Sequence, residues 1–284
     1  MPNLFYNRVL LVVVLYKQNI SQSLTLLSLN EELVSLGIRM DVFIYDNSPE
    51  KQYDQSNFKW NNCDIFYVHD ASNPGLSKAY NSGAAKADEL QKEWLLLLDQ
   101  DTTFPKGYLK ENSNQVIAYP DTSLFVPLLK LKNGLLFSPC INKHKRGYPA
   151  GQLAPGKYNL WKYSPVNSGM LIRLSLFKAA GGYNEKVKID FCDFQFLEKV
   201  RQIKDNFHVI NATGLQDFSA FEYSEEKQQA RFVQYLEDAF HCEKPQFTDK
   251  LGFLYTVTRH AVGLTVKLRS LKFIGLYINN YLIR

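Results

Sequence analysis

Two aspartates one residue apart, Asp99 and Asp101, follow an apolar run at residues 94–98. In extended backbone such positions project to the same side, so both carboxylates can converge on one ion or ligand. Carboxylate oxygens suit a hard divalent cation, and Mg²⁺ or Mn²⁺ typically takes one or two of them together with diphosphate oxygens. A cation held there neutralises charge developing on a diphosphate leaving group. From these two residues alone, a solvated aspartate-rich turn reads the same way. Asp46 ends another apolar run, at 41–45, where a carboxylate can accept hydrogen bonds from a base or ribose. The turn Asn73-Pro74-Gly75 opens a helical pattern that carries Lys78 and Asn81. Backbone N–H groups at a helix start favour anions, and Lys78 adds positive charge. Asp190 and Asp193 stand about one helical turn apart and can face one cleft. As acids at a helix start they would equally complement its dipole.

Such residues need a sheet to hold them. The chain of 284 residues has room for one large α/β domain and a modest appendage. Apolar runs at 9–16, 41–45, 64–68 and 94–98 alternate with helical patterns at 21–36 and 76–90, which is the order of βαβ units. The first run is apolar without a break, as expected of a strand covered on both faces. Ligands of open parallel sheets bind beyond the carboxyl ends of the strands, where Asp46, Asp99 and Asp101 all fall. Residues 133–163 are rich in Gly, Pro, Lys and Tyr and read as a long loop region. Their aromatics Tyr148, Tyr158, Trp161 and Tyr163 can stack on a sugar ring or pack beneath the loop. A strand is expected at 169–173, a helix at 174–180, another helix starting near Asp193, a strand at 207–210 and a polar helix at 224–241. The predicted class is α/β, a Rossmann-like, mostly parallel central sheet flanked by helices, with a C-terminal helical extension.

The order of these motifs resembles glycosyltransferase family 2. The series runs Val12-Val13-Val14-Leu15-Tyr16, then Asp46-Asn47-Ser48, then Asn73-Pro74-Gly75-Leu76-Ser77-Lys78-Ala79-Tyr80-Asn81-Ser82-Gly83, then Leu97-Leu98-Asp99-Gln100-Asp101. The Asp-Gln-Asp form, with Pro105 shortly after, looks most like the rhamnosyltransferase branch that builds bacterial surface polysaccharides. Asn167-Ser168-Gly169-Met170-Leu171-Ile172 resembles the acceptor-side strand, and Phe177 to Gln195 the segment with the catalytic base. The resemblance spans about residues 9 to 220. It implies the GT-A fold and inverting transfer of a sugar, rhamnose being the leading guess, from a dTDP- or UDP-linked donor to a glycan or polyprenyl-linked acceptor. It implies that Tyr16, Asp46, Asn73, Gly75, Lys78, Asn81, Asp99 and Gln100 bind the nucleotide sugar, and that Asp99 and Asp101 hold Mn²⁺ or Mg²⁺. Asp193 would be the general base with Asp190 in support, and Asn167, Ser168, Gly169 and Trp161 would meet the acceptor. The domain would occupy 1–222, with a nucleotide-sugar half at 1–130 and an acceptor half at 131–222, followed by a basic amphipathic extension at 223–284. No nucleic-acid partner is expected.

Two departures matter. The family often places a metal-binding His before an Asp-Phe-Ser-like stretch, whereas this chain reads Leu215-Gln216-Asp217-Phe218-Ser219. Gln216 or Asp217 would have to substitute. Gln195 stands where the family often has an acid. Both keep a second reading in play, a non-catalytic, degenerate glycosyltransferase serving as a binding or scaffold subunit. A nucleotidyltransferase would show a glycine-rich loop after the first strand, and Leu15-Tyr16-Lys17-Gln18-Asn19 has no glycine.

Net charge is +5, yet the six Lys and Arg from Lys250 to Arg284 meet no acid, leaving the other 249 residues at −1. This tail is also rich in Leu, Phe, Val and Ile, as in a helix lying on an anionic membrane surface. A helix pair packed on the domain with a solvated basic face fits the same composition. Four scattered cysteines without a metal or CxxC spacing suit a reducing compartment. The expected location is cytoplasmic, peripheral on the inner face of the membrane.

Overall fold

A single helical turn, α1 (Asn3–Asn7), leads into β1 (Val9–Leu15), all seven residues of which are buried. The computed structural model describes residues 3–53, 60, 62–217 and 224–283. After a 3₁₀ turn at Ile20–Gln22 comes α2 (Leu24–Leu36), where the Ser23 hydroxyl accepts from the Leu26 N–H and Gly37, at φ 62°, ends the helix. Next are β2 (Met40–Asp46), β3 (Cys63–His69), α3 (Leu76–Glu89) and β4 (Trp94–Asp99). The small residues of α3 serve close approach. A Cβ on Gly83 would sit 2.5 Å from the Val12 side chain, so only glycine lets this helix lie on β1.

The second half adds β5 (Thr102–Thr103), α4 (Tyr108–Ala118) and β6 (Leu124–Leu131). Residues 133–163, expected as loop, contain five short strands instead. These are β7 (Leu136–Ser138), β8 (Cys140–Lys143), β9 (Arg146–Tyr148), β10 (Gly156–Asn159) and β11 (Tyr163–Ser164). None exceeds four residues, too short to show a hydrophobic period in the sequence. Then follow β12 (Met170–Arg173), α5 (Leu174–Ala179), α6 (Cys192–Val200) and β13 (Asn206–Gln216). The last of these is longer than the expected 207–210 strand and reaches the functional edge of the sheet. Three helices close the chain, α7 (Glu225–His241), α8 (Phe247–Leu268) and α9 (Lys272–Tyr277), with a π turn at Ile278–Leu282.

The main sheet has the order β10-β13-β6-β12-β4-β1-β2-β3, with β5 on β13 and β7 on β6. Its β4-β1-β2-β3 half is parallel. β12 is antiparallel to both neighbours, and β13 runs parallel to β6. The carboxyl ends of β1, β2, β3, β4, β6 and β13 therefore share one edge. β11, β8 and β9 form a small second sheet.

The C-terminal helices are not an appendage. Phe232 and Leu236 of α7, Phe253, Val257 and Ala261 of α8, and Phe273 and Tyr277 of α9 are buried in the core cluster that contains Val12 of β1 and Leu97 of β4. The expected boundary at 222 and 223 lies outside the described residues. The packed-helix reading of the tail holds, and α8 has a second apolar face. One packs inward, while Phe247, Leu251, Leu254, Tyr255, Val262 and Val266 are exposed on the other. Among the described residues no helix is long and apolar enough to cross a membrane.

Candidate active site

Asp46 and Asp99 end neighbouring parallel strands with only β1 between them, since Asp46 pairs with Leu15 and Asp99 with Val14. Two strand spacings put their backbones about 10 Å apart. The two acids have different surroundings. Asp46 is fully buried, and its carboxylate accepts from the Ser48 and Gln52 N–H groups, both at 2.9 Å, and from the Tyr67 hydroxyl. It therefore organises the loop after β2. Asp99 is only partly buried, and the Tyr80 hydroxyl donates to its Oδ1 at 2.8 Å. Burial raises its carboxyl to about 7, Asp101 and then Asp193 push the same way, and the Tyr80 hydrogen bond opposes them. Asp101 is raised as well, chiefly by burial. Two carboxylates raised in this way, Asp99 in part by Asp101, are a donor set that a divalent cation would relieve.

The rest of the Asp99–Asp101 turn is fixed by polar side chains. Thr25 donates to the Asp99 carbonyl at 2.5 Å, and the Asp99 N–H reaches Ser168 Oγ at 3.4 Å. The Gln100 amide pairs with the Tyr16 backbone, accepting from its N–H at 2.7 Å and donating to its carbonyl at 3.2 Å. Tyr16 itself is exposed beside this edge. Gln216, at the end of β13, donates to Asp101 Oδ1 at 2.6 Å and accepts from Thr102 Oγ1. Its amide nitrogen faces Asp101 while its oxygen is taken by Thr102, so it positions the Asp101 carboxylate. Asp217 instead pairs with Lys132 at 2.7 Å. The following Phe218 and Ser219 lie outside the described residues. Among the described residues no three His, Cys, Asp or Glu side chains gather closely enough to hold a metal. The fit of a cation rests on Asp99 and Asp101 with substrate oxygens.

The α3 start holds protein rather than an anion. Leu76 N–H donates to the Lys188 carbonyl at 2.7 Å, Ser77 Oγ donates to the Val187 carbonyl, and Lys78 pairs with Glu185 at 3.3 Å. Asn81 grips the turn at 183–185, donating to the Tyr183 carbonyl and accepting from the Tyr183 N–H, both at 2.9 Å. Asn73, at φ 50°, and Gly75, at φ 94°, shape the turn. Leu76, Ser77, Lys78 and Asn81 dock α3 against the segment that leads to Asp193.

Asp193 opens α6 and lines a cleft of about 900 Å³ between that helix and the β6–β9 region. Burial raises its carboxyl to about 6, the Phe194 N–H donating to it at 2.8 Å opposes the shift, and Asp190 adds to it. Asp190 does not share that cleft. It lines a neighbouring hollow of about 220 Å³ and is held by a two-pronged Arg231 contact, one arm at 2.8 Å. Asp238, buried, accepts from the N–H groups of Lys188, Ile189 and Asp190 at 2.8, 3.0 and 2.8 Å. Arg231 and Asp238 both belong to α7, so a helix far along the chain sets the segment before Asp193. No local sequence pattern marks either residue for this. Tyr80 lies within the motif already noted, but nothing in its type announces a bond to Asp99.

Of the acceptor-side residues, Asn167 and Ser168 are buried. Asn167 accepts from the Tyr183 hydroxyl at 2.6 Å, and Ser168 bonds Thr102 Oγ1 at 2.7 Å. Gly169, at φ 80°, leaves no space for a Cβ beside Pro127 and Phe104. Trp161 is not brought there. β10 ends opposite Asn206, where β13 begins, so the turn carrying Trp161 lies at the amino-terminal edge of the sheet. Its exposed ring stacks with Arg201 at 4.2 Å. Tyr158 and Tyr163 pack on each other, and Tyr148 lines the Asp193 cleft.

No protein-family model and no curated protein matches the sequence. Solved structures do match. S. aureus TarS 1–349 in complex with UDP-GlcNAc aligns with a TM-score of 0.58 at 16% identity, over 96% of this chain and 79% of that one. GalNAc-T7 with UDP, GalNAc and Mn²⁺ aligns with a TM-score of 0.55 at 14% identity, over 91% of this chain and 57% of that one. The longer S. aureus TarS gives 0.54 at 18% identity, over 96% of this chain and 48% of that one. At such identities the likeness is one of fold, and it agrees with the mostly parallel central sheet and the C-terminal helices: this chain has the GT-A fold.

Proposed function

We propose that the protein is an inverting glycosyltransferase that moves a sugar from a nucleoside-diphosphate donor, dTDP- or UDP-linked, to a hydroxyl of a glycan or lipid-linked acceptor. The observation that carries this reading is that the β4 turn with Asp99 and Asp101 and the start of α6 with Asp193 come together from separate segments, near enough for Asp101 and Asp193 both to raise the Asp99 carboxyl. The acceptor hydroxyl enters beside Asp193, its oxygen attacks the anomeric carbon as the bond to the diphosphate breaks, and its proton passes to the Asp193 carboxylate. A base ionising at about pH 6 suits that task near neutrality. Asp99 and Asp101 would hold Mn²⁺ or Mg²⁺, which when bound supplies charge neutralisation on the departing diphosphate. Tyr80 and Gln216 orient these two carboxylates, while Asp238 and Arg231 keep the base segment in place. Rhamnose is the leading donor sugar on sequence resemblance, and the exposed face of α8 fits a peripheral place on an anionic membrane.

The test is a donor panel with Mn²⁺ or Mg²⁺, following release of nucleoside diphosphate. Release from one donor, lost on chelation and in Asp101→Ala, is the expected result. Release that survives both would remove the metal from the reading. The Gln216 bond to Asp101 Oδ1 favours one alternative, a degenerate transferase acting as a scaffold. Failure of calorimetry to detect any nucleotide would establish that alternative over the enzyme.

A further inference from the structure

Positive charge gathers around Tyr148, which lines the Asp193 cleft, and one of the cations, Arg146, also lines the neighbouring Asp190 hollow. Lys143 Nζ lies 6.0 Å from the centre of the Tyr148 ring, and the Arg146 guanidinium carbon 5.6 Å from it. Arg259 reaches over from α8 and approaches the Tyr148 hydroxyl at 3.5 Å. Three cations from two separate segments thus surround one aromatic side chain, and that side chain lines the cleft. Among the described residues none of the three has a carboxylate partner. The acids nearby are engaged elsewhere: Glu198 pairs with Lys145 at 2.6 Å, and Asp190 is gripped by Arg231. Like charges left without a counter-ion repel one another, and an anion seated among them relieves the repulsion.

The walls of the same cleft are aliphatic, including Leu128, Leu131, Leu136, Leu153 and Val166. Such a surface favours a hydrocarbon group over a second polar one. We propose that Lys143, Arg146 and Arg259 form a phosphate subsite around Tyr148, beside this cleft, holding a phosphate or diphosphate that links the acceptor to an apolar chain. The two guanidinium groups can each offer paired donors to phosphate oxygens, and Lys143 adds a point charge. Arg259 also borders the exposed apolar face of α8, so a lipid anchored in a membrane beneath that face would present its headgroup beside Tyr148. The assignment rests on reading the Asp193 cleft as the acceptor site.

The experiment uses the full chain and calorimetry. UDP with Mn²⁺ is titrated first, and its binding tests the transferase reading alone. With UDP and Mn²⁺ then saturating, farnesyl diphosphate, farnesol and a glycerol-phosphate oligomer are titrated in turn. Farnesyl diphosphate is expected to bind well and farnesol weakly. Affinity for farnesyl diphosphate is expected to fall roughly tenfold in each of Arg146→Gln and Arg259→Gln and further in the double variant. Arg259→Lys, which keeps the charge, is expected to retain most of it. Equal affinity in the double variant, or farnesol binding as tightly as its diphosphate, would overturn the subsite. Preference for the glycerol-phosphate oligomer would overturn the lipid carrier.

Discussion

Asp193 holds its proton to about pH 6 because it is sheltered from water and has Asp190 beside it. Two consequences of opposite sign follow. As a base it works only when ionised, so kcat/KM is expected to rise with pH, about tenfold per unit well below 6, and to level off above it. A profile flat down to pH 5 would remove Asp193 from that role. For stability, the folded-state value lies above that of the unfolded chain, so the contribution of this group is present at low pH and is lost as pH rises through about 6. Asp193→Asn is accordingly expected to stabilise the protein at pH 7 by roughly 1–2 kcal/mol while cutting transfer by about 10²–10⁴-fold. Thermal melts and initial rates on one sample check both. The acids of the site were readable from the sequence because each sits where an apolar run stops or a helix begins. The saturation of Asp46 was not readable, since its partners Ser48, Gln52 and Tyr67 reveal themselves only when β2 and β3 lie side by side. Trp161 misled for the complementary reason: its type suits a sugar, but only the strand order shows which edge it occupies.

At the level of elements, the parallel half of the sheet was legible to within a residue or two, because long apolar strands and helices alternate there. In the acceptor half the strand at β12 and the helices α5 and α6 were legible too, but the five strands between 133 and 164 were not, because each is at most four residues long. The joint between the halves is the contact of the Gly75 turn with the backbone of Lys188. Gly75 adopts φ 94°, and a Cβ there would stand 2.5 Å from the Lys188 carbonyl oxygen. Gly75→Ala must therefore strain the turn, push the 187–190 segment aside, or both. The expected cost is about 2–4 kcal/mol in urea unfolding, with kcat reduced more than the affinity for nucleotide. Loss of nucleotide affinity with kcat intact would show that this turn serves the donor directly.

For the whole molecule, the tail sequence suggested an addition to a finished domain, but the packing makes one unit. Helices α7, α8 and α9 fill the same cluster as β1 and β4. A single cooperative unfolding transition is expected, with circular dichroism and tryptophan fluorescence coincident. Phe253→Ala, which empties a fully buried site, is expected to cost about 3–5 kcal/mol in that one transition. Two separated transitions, only one of them shifted, would mean that the helices fold as their own domain. The amphipathic pattern of the tail was visible, but α8 uses two apolar faces, and a linear pattern does not tell which face meets protein.

Arg231 and Asp238 stand beyond the last residue of the sheet, yet they fix the backbone just before Asp193. While this chain is being made, the strand-end acids leave the ribosome well before the helix that steadies the base. A nucleotide sugar meeting such a half-made chain would find Asp99 and Asp101 but no settled group to activate a hydroxyl. The segment before Asp193 is thus steadied only after the strand-end acids and the whole sheet have been made.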